Sequence, residues 1–139
     1  MNNMGEPRIK IVAMPKDTNP AGNIFGGWIM SQIDLAGALA TRDLPIYQVV
    51  TVAVNSMSFR QPIFVGDVVS FYAKVVELGS SSVKVDVEVT SERTNNETRS
   101  CVHVTSAIVT YVSVDKEGKK KPIECSNNYK RTLGLKINE

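Results

Sequence analysis

DTNPAGNIFGGWIMSQIDLAG, residues 17–37, opens as a loop rich in Asn, Pro and Gly and pauses at Gly26-Gly27. It then becomes apolar through Trp28, Ile29, Met30, Ile33, Leu35 and Ala36, with Asp34 as its one carboxylate. At helical spacing the apolar residues of residues 25–42 fall on nearly every side, which predicts a helix enclosed by protein and ended ahead of Pro45. Asp34 stands about two turns beyond the paired glycines and is no N-cap; Asn23, just ahead of the helix, is the expected cap. A lone acid in apolar surroundings either bonds to backbone or an Arg as a structural group, or is a carboxyl with a raised pKa that does chemistry. Spacing alone leaves both readings open.

Outward from this helix the chain reads as strands. Residues 8–14 form a short first strand ended by Pro15, and the runs 51–59, 67–78, 81–92 and 100–114 are rich in β-branched residues. Turn chemistry separates them at Gln61-Pro62, Gly66-Asp67, Gly79-Ser80 and Asn95-Asn96. In residues 81–92, Val83, Val85, Val87 and Val89 alternate with Lys84, Asp86, Glu88 and Thr90, so one face is dry and the other wet. The pattern predicts a four-stranded antiparallel meander covered by the single apolar helix. Beyond Val114 the segment DKEGKKKPIE is polar and basic, a turn leading to a loosely held tail, residues 124–139.

The 139 residues suffice for one domain with a real core, and 42% hydrophobic with 22% charged residues is ordinary for a globular chain. A net charge of +2 and the lack of basic strands interleaved with aromatics argue against a nucleic-acid binder. No run approaches a membrane span, and MNNMGEPRIK has no apolar signal core, so a cytoplasmic location is expected. Cys101, Cys125 and the single His103 lack metal-ligand spacing, so no metal site is expected. Cys101 and His103 share a strand face, but no third group recommends them as a nucleophilic pair.

A strand, a buried helix carrying an acid and a run of antiparallel strands is the sequence plan of the hotdog fold, an α+β architecture in which about five antiparallel strands wrap one central helix. PKDTNPAGNIFGGWIMSQIDLAG, VVTVAVNSMSFRQPIFVGDVV and the turn Gly79-Ser80-Ser81-Ser82 closely resemble bacterial acyl-CoA thioesterases of the YciA type across residues 8–123, taken as a single domain. The resemblance implies hydrolysis of acyl-CoA to free CoA and a carboxylic acid, with no cofactor because CoA belongs to the substrate. By the same resemblance Asp34 is the helix carboxylate, Asn19 the loop amide fifteen positions before it, and Gly26 the glycine whose N–H faces the thioester carbonyl. In related enzymes Asn and acid converge from two hotdog units, and the assembly is a hexamer built as a trimer of dimers.

Elementary chemistry agrees with these roles. Thioester hydrolysis develops an oxyanion that free N–H groups at a helix start suit, and Gly26 lets substrate approach its backbone. Asp34 is either a general base for water or a nucleophile that forms an anhydride. Asn19 has a donor and an acceptor with which to hold water and touch the carbonyl, although an Asx-turn ahead of Pro20 is its structural reading. Gly27, Arg60, Ser80, Ser81, Ser82 and Arg93 are the candidates for binding substrate, with Lys119, Lys120 and Lys121 as further partners for the phosphates of CoA. The YciA-like stretch has Phe25 where the family often has His. Asp17 to Gly22 also resembles the D-x-N-P-x-H motif of hotdog enoyl-CoA hydratases, but Gly22 stands at the His position and supplies no acid or base. The alternative of another class is a noncatalytic acyl-CoA-binding module in which Asp34 is structural.

Overall fold

The valines at alternate positions of residues 81–92 meet the helix as expected. In the computed structural model, which describes residues 4–135, Val83, Val85, Val87 and Val89 are fully buried against α1 (Gly26–Ala40). The strands are β1 (Ile9–Val12), β2 (Gln48–Asn55), β3 (Val68–Leu78), β4 (Ser82–Asn95) and β5 (Thr98–Val114), all paired antiparallel in one sheet. This is the hotdog fold. The helix ends in a 3-10 turn, Thr41–Asp43, two residues ahead of Pro45.

The sheet order β1-β3-β4-β5-β2 corrects the four-strand meander. Only β3, β4 and β5 follow one another as neighbours; β2 lies beyond β5 as an edge strand, and residues 56–67 carry the chain back across the sheet to β3. Buried Asp67 pins the end of that connection, accepting from the Phe64 N–H at 3.0 Å and the Ser91 hydroxyl at 2.8 Å. The β4–β5 hairpin needs no such anchor. Asn96 and Glu97, with φ of 49° and 68°, form the two-residue left-handed turn whose twist matches its strands.

The helix is not enclosed. Ile29, Ile33, Ala36, Gly37 and Ala40 make one buried stripe at helical spacing, whereas Met30, Leu35 and Leu39 are 49%, 56% and 40% exposed. One curled sheet offers one concave face, so a helix apolar all round leaves its other sides uncovered in a single chain. Edge strand β2 is likewise apolar and open, with Val50, Val52 and Val54 exposed. The tail also departs from expectation. Asn127–Thr132 form a short helix, α2, whose Ser126 Oγ accepts the Tyr129 N–H at 3.1 Å, while the Tyr129 hydroxyl donates to the Asp43 carbonyl and Leu135 is buried. Residues 136–139 of the expected tail lie outside the described residues.

Candidate active site

The loop before α1 is a small hairpin. Thr18 bridges Ile24, the Asn19 N–H donates to the Asn23 carbonyl at 2.8 Å, and Gly22 sits at φ +89°, where a His would be strained. Asn19 Oδ1 accepts from the Ala21 and Asn23 N–H groups at 3.0 and 3.1 Å, which occupies both its lone pairs, while its amide NH2 meets no acceptor among the described residues. Asn23 is therefore used in the hairpin. The residue at the helix N-cap is Phe25, with no side-chain cap, which corrects the assignment of Asn23.

Without a cap, the first N–H groups of α1, those of Gly26 and Gly27, meet no acceptor among the described residues. The two glycines are not equivalent. A Cβ on Gly27 would lie 2.8 Å from the Phe25 ring, so this glycine makes room for its neighbour; a Cβ on Gly26 would meet nothing within 4 Å, so its backbone opens outward. The helix start thus offers partial positive charge to an approaching oxyanion.

Asp34 sits on the side of α1 next to β2. Its Oδ1 accepts from the Thr51 hydroxyl at 2.7 Å, and its carboxylate is half-buried in the single chain rather than shut in an apolar enclosure. Thr51 is a residue that the sequence reasoning missed, because it belongs to another element seventeen residues on. Its only signal was a hydroxyl among the valines of VVTVAV.

Eight residues of α-helix separate Gly26 from Asp34, about 12 Å of rise, so the two cannot address one carbonyl from the same helix. The remaining candidates divide the same way. Thr51, Tyr111 and Val83 are consecutive cross-strand partners, so Asp34 lies towards the Ser80–Ser82 end of the sheet, whereas Arg60 and Arg93 lie at the other end. Ser82 and Arg93 are about 36 Å apart along β4. Ser80 and Ser81 accept backbone N–H groups of Ile123 and Ser113, which sets them beside the turn carrying Lys119, Lys120 and Lys121. Near the helix start the Ile24 N–H donates to the Ile63 carbonyl, joining the Asn19 hairpin to the connection that bears Arg60.

The arginines have protein partners. Arg93 pairs with Asp67 at 3.1 Å, donates to the Pro62 carbonyl and lies over the Phe64 ring, so its charge braces the connection between β2 and β3. Arg60 is exposed and shares a 3.0 Å hydrogen bond with His103 Nδ1, whose Nε2 faces Glu88 at 2.7 Å. That pairing takes both ring nitrogens of His103 and gives Cys101 no part in a Cys-His pair.

A hotdog fold with an acid on its helix and bare N–H groups at the helix start defines a thioesterase class of site, and comparison agrees. The family profile of the thioesterase superfamily matches residues 21–97. An uncharacterized acyl-CoA thioester hydrolase of Haemophilus influenzae is 46% identical over 132 residues, covering 93% of this chain and 84% of that protein. The acyl-CoA thioester hydrolase YciA of Escherichia coli is 42% identical over 123 residues, covering 86% and 93%. A crystal structure of a hexameric hotdog-fold thioesterase of Campylobacter jejuni superposes with a TM-score of 0.88 at 57% identity, covering 95% of this chain and 98% of that one. The chain belongs to the thioesterase superfamily, among its YciA-type acyl-CoA thioester hydrolases.

Proposed function

We propose that this protein hydrolyses acyl-CoA thioesters at sites shared between two copies of the chain. The observation that carries the reading is the separation along α1: bare N–H groups at Gly26 and a carboxylate at Asp34, about 12 Å apart, are two halves of one catalytic requirement. Pairing the open edge of β2 with a second copy about a two-fold axis sets the helices antiparallel, so that the start of one faces the middle of the other. The same pairing covers Val50, Val52 and Val54 and removes an exposed strand edge.

In that site the Gly26 N–H, with the Asn19 amide of the same chain, receives the thioester oxygen as it gains charge. Asp34 of the other chain, steadied by Thr51, takes a proton from water as the oxygen attacks the carbonyl carbon, or attacks it directly to give an anhydride that water then opens. In either course the C–S bond breaks, the acyl group leaves as the acid and the sulfur of CoA is protonated. In this reading Arg60 of one chain and Ser80 to Ser82 with the lysines at 119 to 121 of the other serve the CoA head, since one chain holds them at opposite ends of its sheet, and Gly27 serves the carbonyl. The assembly is a hexamer built as a trimer of dimers, as the Campylobacter jejuni relative's hexamer supports. No helix among the described residues is long and apolar enough to cross a membrane, and acyl-CoA as substrate fits work in the cytoplasm.

Release of free thiol from short, medium, long and aromatic acyl-CoAs tests the reading. Turnover of at least one class is expected. Tight acyl-CoA binding with no thiol release from any of them would favour the noncatalytic binding module.

A further inference from the structure

The hydroxyl of Tyr111, on β5, donates to the backbone carbonyl of Asp34 at 2.7 Å. In an uninterrupted α-helix that carbonyl receives the N–H of Ala38, four residues on. The Tyr111 phenol therefore brings a donor from the sheet to a carbonyl within the continuous helix Gly26–Ala40. Gly37 makes this close approach possible, since a Cβ there would lie 2.2 Å from the hydroxyl oxygen.

Tyr111 is also the direct cross-strand partner of Thr51. Two adjacent residues of neighbouring strands therefore hold Asp34 at two points, Thr51 at the carboxylate and Tyr111 at the main chain. Burial and the nearby Asp34 charge push the Tyr111 phenol well above its ordinary range, which keeps it a donor wherever the protein works. The phenol is wholly buried, so it cannot serve the substrate itself. A fully hydrophobic Phe would fill this core position, and the helix runs unbroken from Gly26 to Ala40. Neither the packing nor the helix needs the hydroxyl, while the aim of the Asp34 carboxylate does.

We infer that Tyr111, admitted by Gly37, is a positioning residue for thioester hydrolysis that, together with Thr51, sets the direction of Asp34 by holding its backbone carbonyl. The inference rests on the assignment of Asp34 to the chemistry.

Tyr111→Phe tests it, with kcat, KM and thermal stability measured together on the assembled protein. A fall in kcat of about 10- to 100-fold at nearly constant KM is expected, the scale of a small misplacement of a catalytic group. Thr105→Val is the comparison: Thr105 is buried on the same strand and bonds the Ser58 carbonyl at 2.7 Å, so its loss lowers stability and spares kcat. The double variant Asp34→Asn/Tyr111→Phe should be no slower than Asp34→Asn alone, because Tyr111 acts only through that carboxylate. Unchanged kcat in a folded Tyr111→Phe protein, or equal losses with and without Asp34, would overturn the inference. Full activity of Asp34→Asn alone would instead overturn the assignment beneath it.

Discussion

The two ends of the proposed site are built in opposite ways. At the start of α1 the chain withholds partners: Phe25 provides no cap, Gly26 has no side chain, and the amide NH2 of Asn19 meets no acceptor among the described residues. Near the middle of the helix it supplies them, with Thr51 on the Asp34 carboxylate and Tyr111 on its carbonyl. An oxyanion needs donors that nothing else occupies, while a base or nucleophile needs a fixed direction. One helix serves both needs at a distance too great for a single substrate, and that separation is what calls for a second chain.

The comparison breaks most visibly at the acid. Asp34→Asn should fold and assemble normally and lower kcat by about 10²-fold or more, the worth of an acid-base group. Steady-state thiol release on a correctly assembled variant checks it; full activity there removes the carboxylate from the mechanism. Thr51→Val sharpens the same half. Losing a hydrogen bond to a charged group should slow kcat about tenfold while KM stays within about twofold. An equal loss in an Asp34→Asn background would show that Thr51 acts on something other than Asp34.

The smallest effect lies outside both halves, on the wet face of β4. Burial and the charge of Glu88 raise the Asp86 carboxyl above its ordinary range, so the folded chain binds that proton more tightly than the unfolded chain. Its contribution to stability is present below the usual aspartate range and is lost as pH rises through the raised value. Asp86→Asn should therefore raise Tm at neutral pH by about 1–3 °C, with the gain gone near pH 3 and kcat unaltered. Thermal melts at the two pH values check it, and a change in kcat would tie the wet face to the site.

Much of this was legible in the sequence, and the reasons differ by element. The valines of β4 declared their face because strand periodicity is local, and GNIFGG followed by an apolar run declared the helix, though not its uncapped start, where Asn23 was the expected cap. The place of β2 beyond β5 was not legible, since residues 60–66 read as a hairpin-length turn between strands, when in fact residues 56–67 cross the sheet. The grip on Asp34 was hidden for a similar reason: Thr51 and Tyr111 meet the helix only once β2 and β5 pair. The helix looked enclosed because apolar residues stand on nearly all its sides, whereas one concave sheet face buries a single stripe of it. The tail looked loose because α2 is one short turn of helix whose hold comes from Tyr129 and Leu135.

The central claim is that Asn19 with Gly26 from one chain and Asp34 from another make one site. Asn19→Ala and Asp34→Ala proteins, each inactive alone, should regain activity when their subunits are dissociated, mixed and reassembled, because a mixed pair restores one complete site out of two. Random pairing makes about half of the dimers mixed, so recovery of about a quarter of wild-type activity is expected. No recovery, with exchange of subunits verified by mass, would mean that each chain carries its own site and would contradict the account.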